Sequence, residues 1–424
     1  MIKQNAAAYK EVATPSTDQI VVRARGDKCN GVPQMLVEVD GKQMISQPVR
    51  TESWKNYRAD VEVSSGPHEV TIAFTNDYRK RSSCDRNLRI DKVTFMPTST
   101  STPAPAPDSP GPEFGVNLAG GEFGGSLPGT YDQDYTYPTA QELDYYKGKG
   151  RKVVRIPFRW ERLQRTLNGP LDPAEMSRID RIIADARSRG MRVLLDCHNY
   201  GRYKVGGTDE QILGSSQVPN AAFADLWQKI ANRYNNESAV YGSGLMNEPH
   251  DMGDDRRWPA AAQAAVDEIR TVDTAHAIFV AGDYWGGAHS WRNTSNENLY
   301  IRDPANKIVY EAHQYFDNGN SGTYDQSYDG EGAYANIGVD RARPFGEWLR
   351  EKGKKGFVGE FGVPDNDLRW NTAMSNFLSY LNSNNVGGTY WAGGPWWGNY
   401  PLSVEPTNNL TTDKPQMSVL QSYP

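Results

Sequence analysis

Residues 97–112 read PTSTSTPAPAPDSPGP. Twelve of these sixteen residues are Pro, Ser or Thr, and none is a large apolar residue. Such a stretch cannot bury a core, and its prolines hold it extended. The 424-residue chain is therefore divided before any element is assigned: one module over 1–96, a linker over 97–112 and a second module over 113–424. A chain of this length also calls for more than one core. Linkers of this kind let two modules work on one large or insoluble object at raised local concentration.

Residues 113–424 alternate between two kinds of segment. Apolar, strand-like runs fall at FGVNLAG (114–120), KVVRIPF (152–158), MRVLLDCH (191–198), AVYGSGLMN (239–247), AIFVAG (277–282), KIVYEAHQY (307–315), GFVGEFG (356–362) and GGTYWAGG (387–394). A strand buried on both faces reads as a near-continuous apolar run of this sort. Between them lie helix-like stretches, among them DPAEMSRIDRIIADARSRG, NAAFADLWQKIANRYN, WPAAAQAAVDEIRTVD and GVDRARPFGEWLREKG. In the first, Asp172 is placed to cap, Pro173 to open the first turn and Gly190 to stop the helix. Strands alternating with helices in this way predict a (β/α)8 TIM barrel. A doubly wound sheet is the alternative, but no glycine-rich phosphate loop follows a strand.

Residues 1–96 predict a small all-β sandwich. The runs QIVVRAR, QMLVEVDG, YRADVEV, HEVTIAFTN and LRIDKVTF alternate or are rich in β-branched residues, with turn signals such as VDGK and SSGPH between them. Cys29 and Cys84 lie far apart in loops. A disulfide across the sandwich is the natural reading and implies an oxidising compartment, with two unpaired surface thiols as the alternative. Cys197, directly before His198, is expected to be a buried free thiol.

Composition removes several function classes. The net charge is −6 and no Lys/Arg block stands out, so nucleic acid and anionic membranes are not expected partners. No apolar run approaches the ~18 residues of a spanning helix. The opening MIKQNAAAYKEVA lacks an apolar signal core, so the chain is either cytosolic or a mature form whose signal has been removed. The disulfide favours the second, a secreted protein, and a monomer is expected. Tyr (23) and Trp (11) are abundant against 12 Phe, which suits surfaces that stack on sugar rings.

The chemistry lies at the strand ends, where a barrel of this kind holds its active site. Read in order, those ends present Arg155, His198, Asn247 with Glu248, His313 with Tyr315, Glu360 and Trp391. Glu248 ends the fourth strand and Glu360 the seventh. A carboxylate at the exit of a buried strand is costly unless it has a partner or a task. Two of them facing one cleft are what hydrolysis of a glycosidic bond requires. Metal catalysis is not expected, since the module has no His/Cys ligand spacing.

The motifs VVRIPFRW, LLDCHNY, GLMNEPH, YEAHQYFD, VGEFG and YWAGG resemble those of glycoside hydrolase family 5, and the resemblance covers 113–424. GVNLAGGEFGG and AGGPWWGNY are similar to the endoglucanases of fungal type. The resemblance implies a retaining mechanism with Glu248 as general acid and then base, and Glu360 as nucleophile. Arg155 is expected to lower the Glu360 pKa and keep it ionised, and Tyr315 to donate to the same carboxylate. Asn247 would hold the sugar 2-OH, His313 would tune or relay the proton of Glu248, and His198 would reach hydroxyls before the cleavage point. Trp391 would floor that subsite. Trp285, Trp396, Trp397 and Trp160 are candidates for outer subsites or core, and Tyr324, Tyr328 and Tyr334 for the cleft wall. Asn117 reads as either structural or sugar-facing.

In the first module, AFTNDYRKRSSCDRNLRID with GVPQMLVEVDG is similar to the calcium-dependent carbohydrate-binding modules of families 36 and 60, over about 18–96. The resemblance implies Ca²⁺ held by Asp77, the Cys84 carbonyl and Asp85, a hard cation on oxygen ligands. Cys84 stands where the family often has Trp, which removes an aromatic contact. Asp77 and Asp85 as mere turn caps is the alternative. Arg86 and Asp91 read as structural partners, Trp54 as core, and Tyr57 as core or binding face.

The leading expectation is thus a secreted endo-β-1,4-glucanase acting on β-glucan, with a calcium-dependent binding module and no cofactor for catalysis. The same chemistry on xyloglucan, mannan or xylan is the second. A non-catalytic sugar-binding protein is the third.

Overall fold

The computed structural model describes residues 6–14, 17–64, 66–80, 84–97 and 112–424. The linker expected over 97–112 lies outside them, apart from its end residues. The chain divides into two compact units, Met1–Ser109 and Pro110–Pro424. Among the described residues no helix is long and apolar enough to cross a membrane.

The first unit is built of β1 (Ala6–Thr14), β2 (Thr17–Asp27), β3 (Gln34–Val39), β4 (Lys42–Pro48), β5 (Lys55–Val63), β6 (Gly66–Phe74), β7 (Arg79–Lys80), β8 (Cys84–Asp85) and β9 (Asn87–Pro97). One antiparallel sheet has the order β1-β6-β3-β4 and a second β5-β2-β9, while β7 and β8 form a short hairpin. Strict alternation in β3 turns Met35, Val37 and Val39 inward, where they meet Ile20, Val22 and Ala24 of the other sheet in one core. Four strands, β1, β4 and the short β7 and β8, are additions to the sequence reading.

Cys29 and Cys84 are joined, with Cα atoms 5.6 Å apart. Arg86 braces the same loops: its guanidinium donates to the carbonyls of Cys29 (2.9 Å), Asn76 (2.7 Å) and Asn30. Asp91 instead pairs with Arg23 at 2.7 Å, so Arg86 and Asp91 are not each other's partners. Trp54 is not core either. It is 41% exposed, because the loop carrying it lies across the outer face of its sheet.

The second unit is a closed barrel of parallel strands. They are β10 (Phe114–Leu118), β11 (Val153–Phe158), β12 (Arg192–Cys197), β15 (Val240–Gly244), β16 (Ala277–Ala281), β17 (Ile308–His313), β18 (Lys355–Phe361) and β19 (Gly387–Gly393), with a small hairpin of β13 (Arg202–Val205) and β14 (Asp209–Ile212) between the third and fourth. All eight expected runs are barrel strands. Leu194, Phe279 and Phe357, from alternate strands, pack together inside and plug the barrel. Helices cover the outside. Asp172 caps Pro173–Ser188 by accepting from the Ala174 and Glu175 amides. Cys197 is a buried free thiol.

The disulfide closes a separation of 55 residues in a unit with a small core. Replacing both cysteines by Ser should lower the stability of that unit by about 2–4 kcal/mol. Chemical denaturation of the full chain should show its transition moving while that of the barrel stays in place.

Candidate active site

Side chains alternate along a strand, so residues two apart point the same way. Asp196 and His198 share the inward face of the third barrel strand and its exit, and Glu311 and His313 share that of β17. Arg155, fully buried on β11, is the centre of the group. Its Nη1 donates to Asn117 Oδ1 (2.9 Å) and Glu360 Oε1 (3.2 Å), and its Nη2 to Asn247 Oδ1 (2.8 Å) and Glu311 Oε1 (3.0 Å). Asp196 Oδ1 lies 3.1 Å from the same Nη2. Burial alone would lower the Arg155 pKa, but the carboxylates of Asp196, Glu311, Glu360 and Glu248 outweigh it and hold the cation.

Glu360 also accepts from the Tyr315 hydroxyl at 2.8 Å. Its side chain is 6% exposed against 17% for Glu248. His313 joins the two: its Nδ1 lies 2.8 Å from Glu248 Oε1 and 3.5 Å from Glu360 Oε2, and its Nε2 lies 3.3 Å from Glu311 Oε1. One ligand atom from each of Glu248, His313 and Glu360 falls within 4.8 Å of the other two. Burial pulls the His313 pKa down, but Glu360, Glu248 and Glu311 raise it to about 10, so the ring is a cation at neutral pH. With both nitrogens facing carboxylates, it acts here as a double donor rather than a metal ligand. Gly359 makes room for this, since a Cβ there would strike the Glu311 carboxylate and approach His313 Nε2 to 2.9 Å.

The expected pKa of Glu360 needs correction. Burial raises it; His313 and Arg155 pull it down, Glu248 pushes it up, and the net shift is upward. His198 is also placed differently from the reading. Its Nδ1 is 2.7 Å from Asp196 Oδ2 and its Nε2 3.2 Å from Asn247 Nδ2, so both nitrogens are engaged with the protein. Burial depresses its pKa well below the usual range, which leaves a neutral ring. That ring stacks on Trp391 with centroids 5.4 Å apart. Asn117 is structural: its amide donates to the carbonyls of Gly359, Thr389 and Tyr390, and its oxygen takes Arg155.

A cleft of about 590 Å³ opens beside Glu248, lined among others by His313, Tyr315, Trp285, His289 and Asn320. Trp285 is 47% exposed and stacks on His250 with centroids 4.3 Å apart. Trp396 is exposed on the loop after β19, and Trp397 packs edge-on against Trp391. Trp160 is core, bonded to Gln164 and packed on Tyr203. Tyr324 and Tyr328 are not cleft walls but buried packing against Trp370, and Tyr334 is tied to Asp340.

Sequence reasoning missed Asp196 and Glu311, the partners of Arg155, and Glu122, whose carboxyl is pushed up to about 7 by burial. The acid-x-His spacing of Asp196–His198 and Glu311–His313 was the signal for the first two.

In the other unit, the β7–β8 hairpin pairs Arg79 with Asp85. The Arg86 amide donates to the Tyr78 carbonyl at 2.9 Å, which sets the segment carrying Asp77 beside that carrying Cys84 and Asp85. Two carboxylates and a carbonyl are hard oxygen donors, the donor chemistry that a cation such as Ca²⁺ takes.

Comparison with known proteins places both units. A family model described as "Cellulase (glycosyl hydrolase family 5)" matches residues 108–396, and one described as "Ca-dependent carbohydrate-binding module xylan-binding" matches 19–107. Endo-beta-1,4-glucanase B of Aspergillus niger is 33% identical over 315 residues, 73% of this chain and 89% of that protein. An endoglucanase of Neurospora crassa is 36% identical over 69% of this chain and 72% of its own length. Among solved structures, an endoglucanase of Pseudomonas stutzeri in complex with cellobiose superposes with a TM-score of 0.69 at 42% identity, covering 73% of this chain and 92% of that one.

Because the folded-state pKa of His313 is raised from 6.5 to about 10, its ion pairs contribute fully below pH 6.5 and are lost as pH rises through about 10. His313→Asn should therefore cost about 3–5 kcal/mol near pH 6. The difference from wild type should shrink steadily towards pH 10. Urea denaturation at stepped pH measures this, and a difference that grew with pH would contradict a charged imidazole.

Proposed function

The chain belongs to the cellulase family, glycosyl hydrolase family 5, and on that premise we propose that it is a retaining endo-β-1,4-glucanase with roles divided between its two glutamates. Glu360 attacks the anomeric carbon. Glu248 protonates the leaving oxygen and then activates water against the glycosyl-enzyme. The approach of Glu248, His313 and Glu360 ligand atoms to within 4.8 Å carries this reading. Retaining pairs stand about 5–5.5 Å apart, and inverting pairs about 6.5–9.5 Å, to leave room for water.

The neighbours support unequal tasks. Arg155 and Tyr315 hold both oxygens of Glu360 and favour its charged form. His313 donates across its 2.8 Å contact to Glu248, the more exposed of the two, and tunes its proton while facing Glu360 with the same nitrogen. Asn247, fixed by Arg155 and His198, directs its amide to the sugar 2-OH. Trp391 floors the subsite on the far side of the bond from Trp285, and Trp285 and Trp396 serve outer sugars. His198 acts through its stack on Trp391 and its grip on Asn247.

We assign 1–96 to a carbohydrate-binding module, 97–112 to a linker and 113–424 to the hydrolase. The protein works outside the cell, as a monomer. In the module, Ca²⁺ bound by Asp77, Asp85 and the Cys84 carbonyl would coordinate sugar hydroxyls. The match to a xylan-binding module favours xylan as a second substrate or anchor. Reducing-end assays on cellulose, mixed-linkage glucan, mannan and xylan decide between them, and dominant release from xylan would reject the glucanase.

Glu360→Gln should fold normally and lose about 10⁴-fold or more in kcat on soluble β-glucan. Glu248→Gln should lose about 10²–10⁴-fold on polymer while still cleaving aryl cellobiosides with good leaving groups. Near-wild-type turnover by Glu360→Gln would sink the assignment.

For the module, EDTA or Asp85→Ala should abolish retention on neutral xylan without changing hydrolysis of soluble glucan. Unchanged retention in EDTA would remove Ca²⁺ from the reading.

A further inference from the structure

The outer face of the β5-β2-β9 sheet is unlike the rest of this acidic chain. Alternation along β2 sends Ile20, Val22 and Ala24 into the core and Arg23 and Arg25 outward. The register sets Arg58 of β5 beside Val21, and Lys92 and Arg89 of β9 beside Arg23 and Arg25. Two carboxylates on this face are already taken: Asp91 by Arg23 at 2.7 Å and Asp27 by Arg89 at 2.8 Å. Asp60 lies further along, opposite Gln19. Among the described residues neither Arg25 nor Lys92 has an acidic partner.

Trp54 lies over this face. The Arg23 and Arg25 guanidinium carbons stand 5.7 and 5.2 Å from its ring centroid, and the indole is 41% exposed. The loop that carries it is pinned, with the Gly26 amide donating to the Thr51 carbonyl at 2.8 Å and the Ser53 amide to the Thr51 hydroxyl at 3.1 Å. An exposed indole held in place above a row of cations combines an apolar platform with charge. A sugar ring offers its C–H face to such a platform, and a carboxylate on that sugar answers the cations beside it.

We propose that the Trp54–Arg25 face binds polysaccharide bearing uronate carboxylates, by stacking and charge together, and without the Asp77–Asp85 cation set. Neutral xylan or glucan lacks the anion, and simple polyanions lack the stacking ring. The face therefore selects the acidic, substituted regions of a cell-wall polymer. It adds to the module reading and does not depend on calcium.

The test is retention of the full chain on insoluble glucuronoxylan and on the same polymer after reduction of its carboxyl groups, each with and without EDTA. Wild type should bind the native polymer about 3–10-fold more tightly than the reduced one. In EDTA that preference should persist, and it should weaken as salt rises. Trp54→Ala and Arg25→Gln should each abolish the preference while leaving KM on soluble β-glucan unchanged.

Equal retention of native and reduced polymer overturns the proposal. So does a preference that survives Trp54→Ala, which would mean unspecific charge, or one that EDTA removes, which would return it to the cation set. Trp54-dependent binding of a single-stranded oligonucleotide without binding of glucuronoxylan also overturns it. Loss of neutral-xylan binding in EDTA bears only on calcium.

Discussion

The buried guanidinium of Arg155 is the interaction on which the site depends. A cation with no solvent exposure is tolerable only if carboxylates and amide oxygens surround it. Four strands besides its own supply those groups directly: Asn117, Asp196, Glu311 and Glu360. Asn247, after a fifth, completes the ring. The barrel brings these strand ends to one point, and the charges in turn fix the register and rotamers of the side chains that meet there. Removing the guanidinium would leave several acids facing one another in a dry interior.

The same low-dielectric interior sets how protons are shared. Asp196 is pushed up to about 7 by burial even against Arg155. Glu311, equally buried, falls below its ordinary range because Arg155 and His313 both contact it. Two cations therefore sit among a larger number of acids, and the surplus is met by keeping some carboxyls close to protonation. Glu248 adds backbone strain. Its φ of 41° lies in the left-handed region, which a glutamate adopts only when its surroundings impose it. The Asn-Glu-Pro turn is held in that shape between β15 and the cleft.

Most of the barrel was legible because strands buried on both faces announce themselves as apolar runs, and a charge such as Arg155 inside one is conspicuous. Asp196 and Glu311 are hard to read because each stands two positions inside the histidine near the end of its run, among apolar neighbours, and carries the charge balance from there. Asn117 stayed open until its register with Arg155 was known. Loop aromatics were the least readable. Trp160, Tyr324 and Tyr328 are core, whereas Trp54 is surface, and nothing in an aromatic's identity says which side of a loop it faces. In the smaller unit, β1 is not legible because AAAYKEVAT is alanine-rich and weakly alternating; its strand state comes from its long pairing with β6.

The two glutamates differ in how firmly their oxygens are held and in how far they are exposed. Glu360 is held at both oxygens by groups that are themselves buried, Arg155 and Tyr315. A nucleophile profits from this, because its angle of approach is set before substrate arrives. Among the described residues Glu248 is hydrogen-bonded through its side chain to His313 alone, and its backbone is strained at the rim of the cleft. A group proposed to donate to a departing oxygen and then accept from water is well placed at the rim, where both can reach it. His313 meets both glutamates at once, so the charge that develops on one is felt directly by the proton on the other. In the proposed mechanism, attack at Glu360 and donation from Glu248 are thereby coupled through one shared imidazolium.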